Sequence, residues 1–164
     1  MSTPTSATNI IFTHSILSGL YNDAQKSRGT DLEVKVPKEE GIPENVSFHL
    51  HHNIVAASSE YFATFPEPKL GRIIDNINAK SFSICVKFMY TGEYRDDLSH
   101  GNISSILHAS EMLVIDELKH KCIEYLETNL DHSNYEQVIE LADQFQIPHL
   151  KEVASRYQTE NSAR

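Results

Sequence analysis

Cysteine is scarce in this chain: 164 residues hold only Cys85 and Cys122. Each sits inside an apolar pattern (ICVKFMY, KHKCIEYL), where a thiol behaves as a small buried hydrophobe. No disulfide framework is implied. Basic charge is also short, with 14 Lys and Arg against 23 Asp and Glu and a formal charge of −9. Such a field repels phosphate backbones and anionic membranes, and the cations are scattered without the aromatic interleaving that single-strand binding uses. Neither nucleic acid nor membrane is expected as a partner. Gly and Pro number only 6 each, which excludes fibrous and low-complexity classes. Nowhere do about 18 apolar residues run together, and MSTPTSATNIIF lacks the basic region and apolar stretch of a secretory leader. The chain is expected to be neither secreted nor membrane-spanning, and to reside in the cytoplasm or nucleus.

What remains is an ordinary globular composition, 40% apolar and 23% charged, in a length that suits one domain with a short appendage. Residues 1–12 read as a flexible N-terminus in which Ile10, Ile11 and Phe12 form a β-prone triplet. Ile16, Leu17, Leu20, Tyr21 and Ala24 share one helical face, which predicts a helix near 13–26. DLEVKV (31–36) and VSFHLH (46–51) alternate as half-buried strands do. PKEEGIPEN between them is a long solvated connection. Asn53 is placed to cap a short helix over IVAASSEYF, FPEPKLG breaks regular structure, and RIIDNI (72–77) is a third strand candidate.

The rest of the chain is helical in pattern. Phe82, Cys85, Val86, Met89 and Tyr90 recur at helical spacing, nearly all round, and Gly92 ends that segment as a C-cap would. A helix opened by Asn102 and another starting at Asp116 follow at once, which predicts a helical hairpin over 102–130. Ser133 and Glu136 have capping-box spacing ahead of Val138, Leu141 and Ala142. Pro148 starts a last helix with Leu150, Val153, Ala154 and Tyr157 on one face, and QTENSAR is expected to fray. The layout is α+β, with a small N-terminal three-stranded sheet packed on a cluster of helices.

The cluster His49, His51 and His52 invites a metal reading. A zinc site needs four ligands, and on a strand His49 and His51 share a face that His52 does not. No C-x-x-C or H-x-x-x-H completes a set. G-x-S-x-G, H-E-x-x-H and glycine-rich phosphate loops are all missing, and Glu111 one turn from His108 reads as a surface pair. No enzyme activity, metal or cofactor is expected.

Read together, the fragments resemble the BTB (POZ) domain. FHLHHNIVAASSEYF, from Phe48 to Phe62, is similar to the family's F-x-A-H-R-x-V-L-A-A-x-S-x-Y-F. The likeness continues through IIDNINAKSF, VKFMYTGE and the hairpin ending CIEYL, and LDHSNYEQVIELADQF with IPHLKEVA resembles the first helices of a BACK region, or 3-box. The implied division is a BTB domain over 13–131, a partial BACK pair over 132–158 and a polar tail over 159–164. The resemblance places Asp31, His51 and His52 in a structural core turn, with His52 where Arg or Lys usually stands. It implies a homodimer through Ile16, Leu17, Leu20, Tyr21, Ile54 and Val55, with Ile10, Ile11 and Phe12 able to pair as a swapped strand. An interface of that kind buries about 1,600 Å² or more.

In adaptor members of the family, the resemblance further implies contact with the N-terminal domain of a type-3 cullin in a RING ubiquitin ligase. Here Phe65, Glu67, Met112 and Ile115 stand for that contact. The alternative is a self-association domain of a transcriptional regulator or scaffold that binds no cullin. The substrate or partner protein brought to such a complex is not legible.

Overall fold

The computed structural model describes residues 6–39, 41–64 and 72–162. Among them the order is α1 (Ser6–Gln25), β1 (Leu32–Pro37), β2 (Asn45–Leu50), α2 (His52–Ser58), α3 (Glu60–Ala63), β3 (Arg72–Ile73), α4 (Ala79–Thr91), α5 (Ile103–Met112), α6 (Asp116–Thr128), α7 (Tyr135–Gln144) and α8 (Pro148–Ser162), with one 3-10 turn at Arg95–Asp97. The α+β layout with an N-terminal three-stranded sheet is as the alternation implied. Strand order is β2-β1-β3; β1 pairs antiparallel with β2 and parallel with β3.

β1 shows why alternation is a reliable sign. Leu32, Val34 and Val36 are buried while their neighbours are half-exposed, so the strand has one face on the core and one toward water. The β1–β2 register runs from Leu32 opposite Leu50 to Pro37 opposite Asn45. The connection closes with Lys38 N–H donating to the Glu44 carbonyl at 2.8 Å. β3 is shorter than the six residues read from the sequence: only Arg72 and Ile73 pair, and Ile74 and Ile77 turn inward as core residues.

The chain forms two compact units, residues 1–118 and 119–164. The first is organised on α4. Phe82, Cys85 and Val86 are fully buried, and the Phe82 ring meets Phe48 of β2 edge-on at 4.9 Å. Asn78 caps α4 by accepting from Ser81 N–H, and Gly92 at φ 71° closes it with its N–H on the Phe88 carbonyl. The left-handed turn is the reason glycine stands there.

Several local expectations are corrected. Ile10, Ile11 and Phe12 lie within α1, which begins at Ser6 and not near 13; helical pattern outweighs a three-residue β-prone run that has no strand beside it. IVAASSEYF is not one helix, because Ser59 takes an extended φ of −142° and separates α2 from α3. Asn53 is not the cap of α2, a position held by His51 with no side-chain cap bond of its own.

In the second unit, α7 and α8 pack on each other, with Val138, Leu141, Ala142, Leu150 and Ala154 buried. The expected capping box does not form. Ser133 instead gives both its N–H and its hydroxyl to the Asp131 carboxylate, at 2.7 and 2.6 Å. Asn134 is the N-cap residue, and its side chain ties Asp131 N–H to the Asn129 carbonyl. A carboxylate two residues upstream outcompetes the distant glutamate for the serine. α8 continues to Ser162, through most of the tail expected to fray. The two units part inside α6.

Candidate interaction surface and its supporting core

The histidine-rich turn is built from the end of β2 into α2. Leu50 is buried and the strand stops there. His51 N–H then donates to the Tyr90 hydroxyl at 2.8 Å, and His52 N–H donates to the Asp31 carboxylate at 2.7 Å. Asp31, the residue before β1, thus satisfies one of the free N–H groups at the start of α2 and does what a local cap usually does.

Both imidazoles are engaged as well. His51 Nε2 lies 3.2 Å from the Arg28 carbonyl, and its Nδ1 lies 2.9 Å from the Tyr90 hydroxyl. A carbonyl only accepts, so Nε2 carries the hydrogen, and in the neutral ring Nδ1 accepts from Tyr90 O–H. His52 Nε2–H donates to the Phe62 carbonyl at 3.2 Å. These rings are spent on backbone and phenol. Among the described residues, no group of three or more His, Cys, Asp and Glu side chains is placed to hold a metal ion.

Tyr90 is the residue that sequence reading underrated, since it counted only as apolar filling. It is 1% exposed and is held from three directions by the His51 backbone, the His51 ring and an inclined Tyr21 ring at 5.8 Å. Burial pushes its phenol up to about 12, offset in part by the bond from His51 N–H and reinforced by Asp31. The structure therefore brings Asp31, His51 and His52 together and adds Tyr90 as their anchor. No signal in a single sequence links a tyrosine to a histidine 39 positions earlier.

Outside that core, the surfaces diverge. On α1, Ala24 is buried, Leu17, Leu20 and Tyr21 are half-buried, and Ile16 is 48% exposed. Part of the stripe is covered from within the protomer and part faces outward. On α2, Ile54 is half-buried, but Val55 is fully buried in the protomer and has no surface left for another copy. Beside α1, Lys87 bridges Asp97 at 2.7 Å and Glu93 at 3.5 Å, and Glu93 lies 3.5 Å from His14. The bond to Asp97 raises the Lys87 ammonium above its ordinary value. Burial raises the Tyr21 phenol, against the opposing pull of Lys87.

At the turn from α5 to α6, Met112 is 38% exposed, whereas Ile115 is buried and cannot meet a partner without rearrangement. Phe65 and Glu67 lie outside the described residues. His108 donates to the Asn76 carbonyl at 3.2 Å and so ties α5 to the loop before α4. Cys122 is buried, with its thiol pushed up to about 12 by desolvation, which removes it from thiolate chemistry at neutral pH. Among the described residues, no helix is long and apolar enough to cross a membrane.

Comparison with known proteins agrees with this architecture. The chain is 28% identical to Kelch-like protein 21 of Danio rerio over 124 residues, covering 72% of the chain and 20% of that protein. It is 28% identical to the human Kelch repeat and BTB domain-containing protein 7 over 147 residues, covering 86% of the chain and 21% of that protein. The chain thus spans about a fifth of the length of these relatives. In fold it matches the BTB domain of zebrafish PATZ1 with a TM-score of 0.62 at 21% identity, covering 79% of this chain and 100% of that one. The sequence model of the BTB/POZ domain matches residues 22–130, well over half of the chain, and this protein belongs to the BTB/POZ family.

Proposed function

We propose that this chain is a homodimerising interaction module that serves as the adaptor part of a cullin-3 RING ubiquitin ligase, working in the cytoplasm or nucleus. The BTB/POZ fold is one of protein interaction and not an enzyme family. The observation that carries the reading is the outward part of the α1 stripe, Ile16 with half-buried Leu17 and Leu20, on a helix whose opposite side is already packed on α4. An apolar helical face left open on a folded domain is what a second copy covers. The kelch-type relatives and the resemblance of residues 132–158 to a partial BACK pair favour the adaptor role, with Met112 as the exposed member of the expected cullin contact.

A sizing measurement run beside a pull-down with the purified cullin-3 N-terminal domain tests both halves of this reading. The expected result is a dimer that retains the cullin domain. Leu20→Glu forces a carboxylate into the apolar contact and is expected to yield a folded monomer. An unchanged mass for that variant overturns the α1 interface, and an intact dimer that does not retain the cullin domain overturns the adaptor role.

A further inference from the structure

Sulfur is placed unevenly with respect to solvent. Among the described residues it occurs at Cys85, Met89, Met112 and Cys122. Both cysteines are fully buried, and desolvation pushes the Cys122 thiol up to about 12. Oxidants attack the thiolate, so buried thiols of this kind are inert. Met89 is a buried residue of α4, 5% exposed. Met112, the last residue of α5, is 38% exposed. A thioether needs no deprotonation, and its oxidation follows access to solvent. An oxidant therefore meets Met112 before the other three.

Met112 also stands apart in its surroundings. Among the described residues the exposed large apolar side chains are Ile16, Ile42, Ile73, Met112 and Val114, and only the last two lie within one helical turn of each other. The backbone beneath them is held from both sides. Val114 N–H donates to the Glu111 carbonyl at 3.1 Å and Ile115 N–H to the Ser110 carbonyl at 2.8 Å. Ser59 Oγ–H donates to the Leu113 carbonyl at 2.5 Å and Glu60 N–H to the Val114 carbonyl at 3.3 Å. These bonds keep Val114 at φ 50°, a left-handed conformation that a β-branched residue rarely adopts. A turn fixed in this way keeps the Met112 side chain at the surface in either oxidation state. The thioether is apolar and adapts to an apolar partner, whereas the sulfoxide is polar. In the free chain that change costs little, because the side chain already meets water. In a contact that excludes water, a polar group without a partner is costly.

We propose that Met112 is a redox switch on the surface assigned to cullin: hydrogen peroxide converts its thioether to the sulfoxide, and the adaptor releases cullin. The sulfur lone pair attacks one peroxide oxygen, the O–O bond breaks as the S–O bond forms, and the departing hydroxide takes the remaining proton to leave as water. Sulfur is oxidised by two electrons and the peroxide is reduced by two. Methionine sulfoxide reductases reverse the step, with two thiols that become a disulfide as the oxygen leaves in water. Hydrogen peroxide carries no charge, so the exposed carboxylates of Glu111, Asp116 and Glu117 do not exclude it. The proposal rests on the adaptor reading, since without a cullin contact there is nothing to release.

The test treats the full chain with graded hydrogen peroxide, locates the added oxygen by peptide mass spectrometry, and titrates each sample with the purified cullin-3 N-terminal domain. Met112 sulfoxide is expected to form well before Met89 sulfoxide, with the melting temperature and the mass in a sizing run unchanged. Affinity for the cullin domain is expected to fall about tenfold or more and to return after treatment with sulfoxide reductases for both epimers. Met112→Leu, which keeps every other methionine, is expected to bind cullin with or without peroxide. Met112→Gln, polar without any oxidant, is expected to lose about tenfold. Prior binding of the cullin domain is expected to slow oxidation at Met112. Oxidation of Met89 ahead of Met112, equal weakening of Met112→Leu by peroxide, or a loss of binding that only tracks a fall in melting temperature overturns the proposal. An untreated chain that does not hold cullin overturns the adaptor reading and the switch with it, whereas equal binding before and after sulfoxide formation overturns the switch alone.

Discussion

α1 and α4 pack on each other and both are rich in apolar residues, yet they end in opposite circumstances. α4 has the sheet, α1, α2 and α5 around it, and most of its thirteen residues are buried, Ser81 included. α1 rests on α4 and β2 along one side; of its described side chains only Ala24 is fully buried, while Ile16 stays about half exposed. Apolar spacing identifies a helix that needs cover. How much of that cover the protomer itself supplies depends on what surrounds the helix, and the uncovered remainder is where an interaction protein does its work.

Phe82→Ala presses hardest on this contrast. Phe82 is fully buried against Phe48, and removing such a ring costs about 3–5 kcal/mol. Urea unfolding is expected to show a loss of that size; a loss below about 1 kcal/mol would mean that α4 is not the centre of the core.

Tyr90→Phe comes next. It strips the acceptor from His51 N–H and the donor from the His51 ring, and a buried group left unpaired costs about 1–3 kcal/mol. The variant also has a pH signature. Burial pushes the folded phenol up to about 12, above its ordinary value of 10.0. Its stabilising effect is therefore fully present below pH 10 and is lost as pH rises toward 12, by about 1.4 kcal/mol for each pH unit. Parallel unfolding series across that window are expected to show a shallower fall for Tyr90→Phe than for the parent chain. Identical slopes would separate Tyr90 from the network described above.

Asp31→Ala removes the carboxylate that receives His52 N–H, and losing a helix cap costs about 1 kcal/mol. Thermal unfolding reads this directly, and hydrogen exchange is expected to speed up at the first turn of α2 while α4 remains protected.

Ile16→Asp marks the small end of the scale. The side chain is half exposed in the protomer, so monomer stability is expected to move by no more than about 0.5 kcal/mol. The dimer mass, in contrast, is expected to halve in a sizing run. A large stability loss without a change of mass would place Ile16 among residues that the protomer already covers.

Much of the fold was legible in the chain because two periodicities were clean. The alternation of Leu32, Val34 and Val36 gave β1, and the repeat from Phe82 to Tyr90 with Gly92 after it gave α4 and its end. Ser133 and Glu136 misled for a local reason, since Asp131 offered the serine a nearer acceptor. The break at Ser59 was hidden for a distant one. Its hydroxyl bonds the Leu113 carbonyl 54 positions on, and that partner rewards an extended serine between two helical turns.

By itself the sequence determined the α+β class, the helical and strand cores, and the family, because local period, turn chemistry and motif spacing are written in neighbouring residues. Only the tertiary structure decided what the three-histidine stretch is for, and that Val55 and Ile115 are spent inside the protomer while Ile16 and Met112 are not. Burial is a sum over neighbours in space, and a linear pattern names the residues without naming their neighbours.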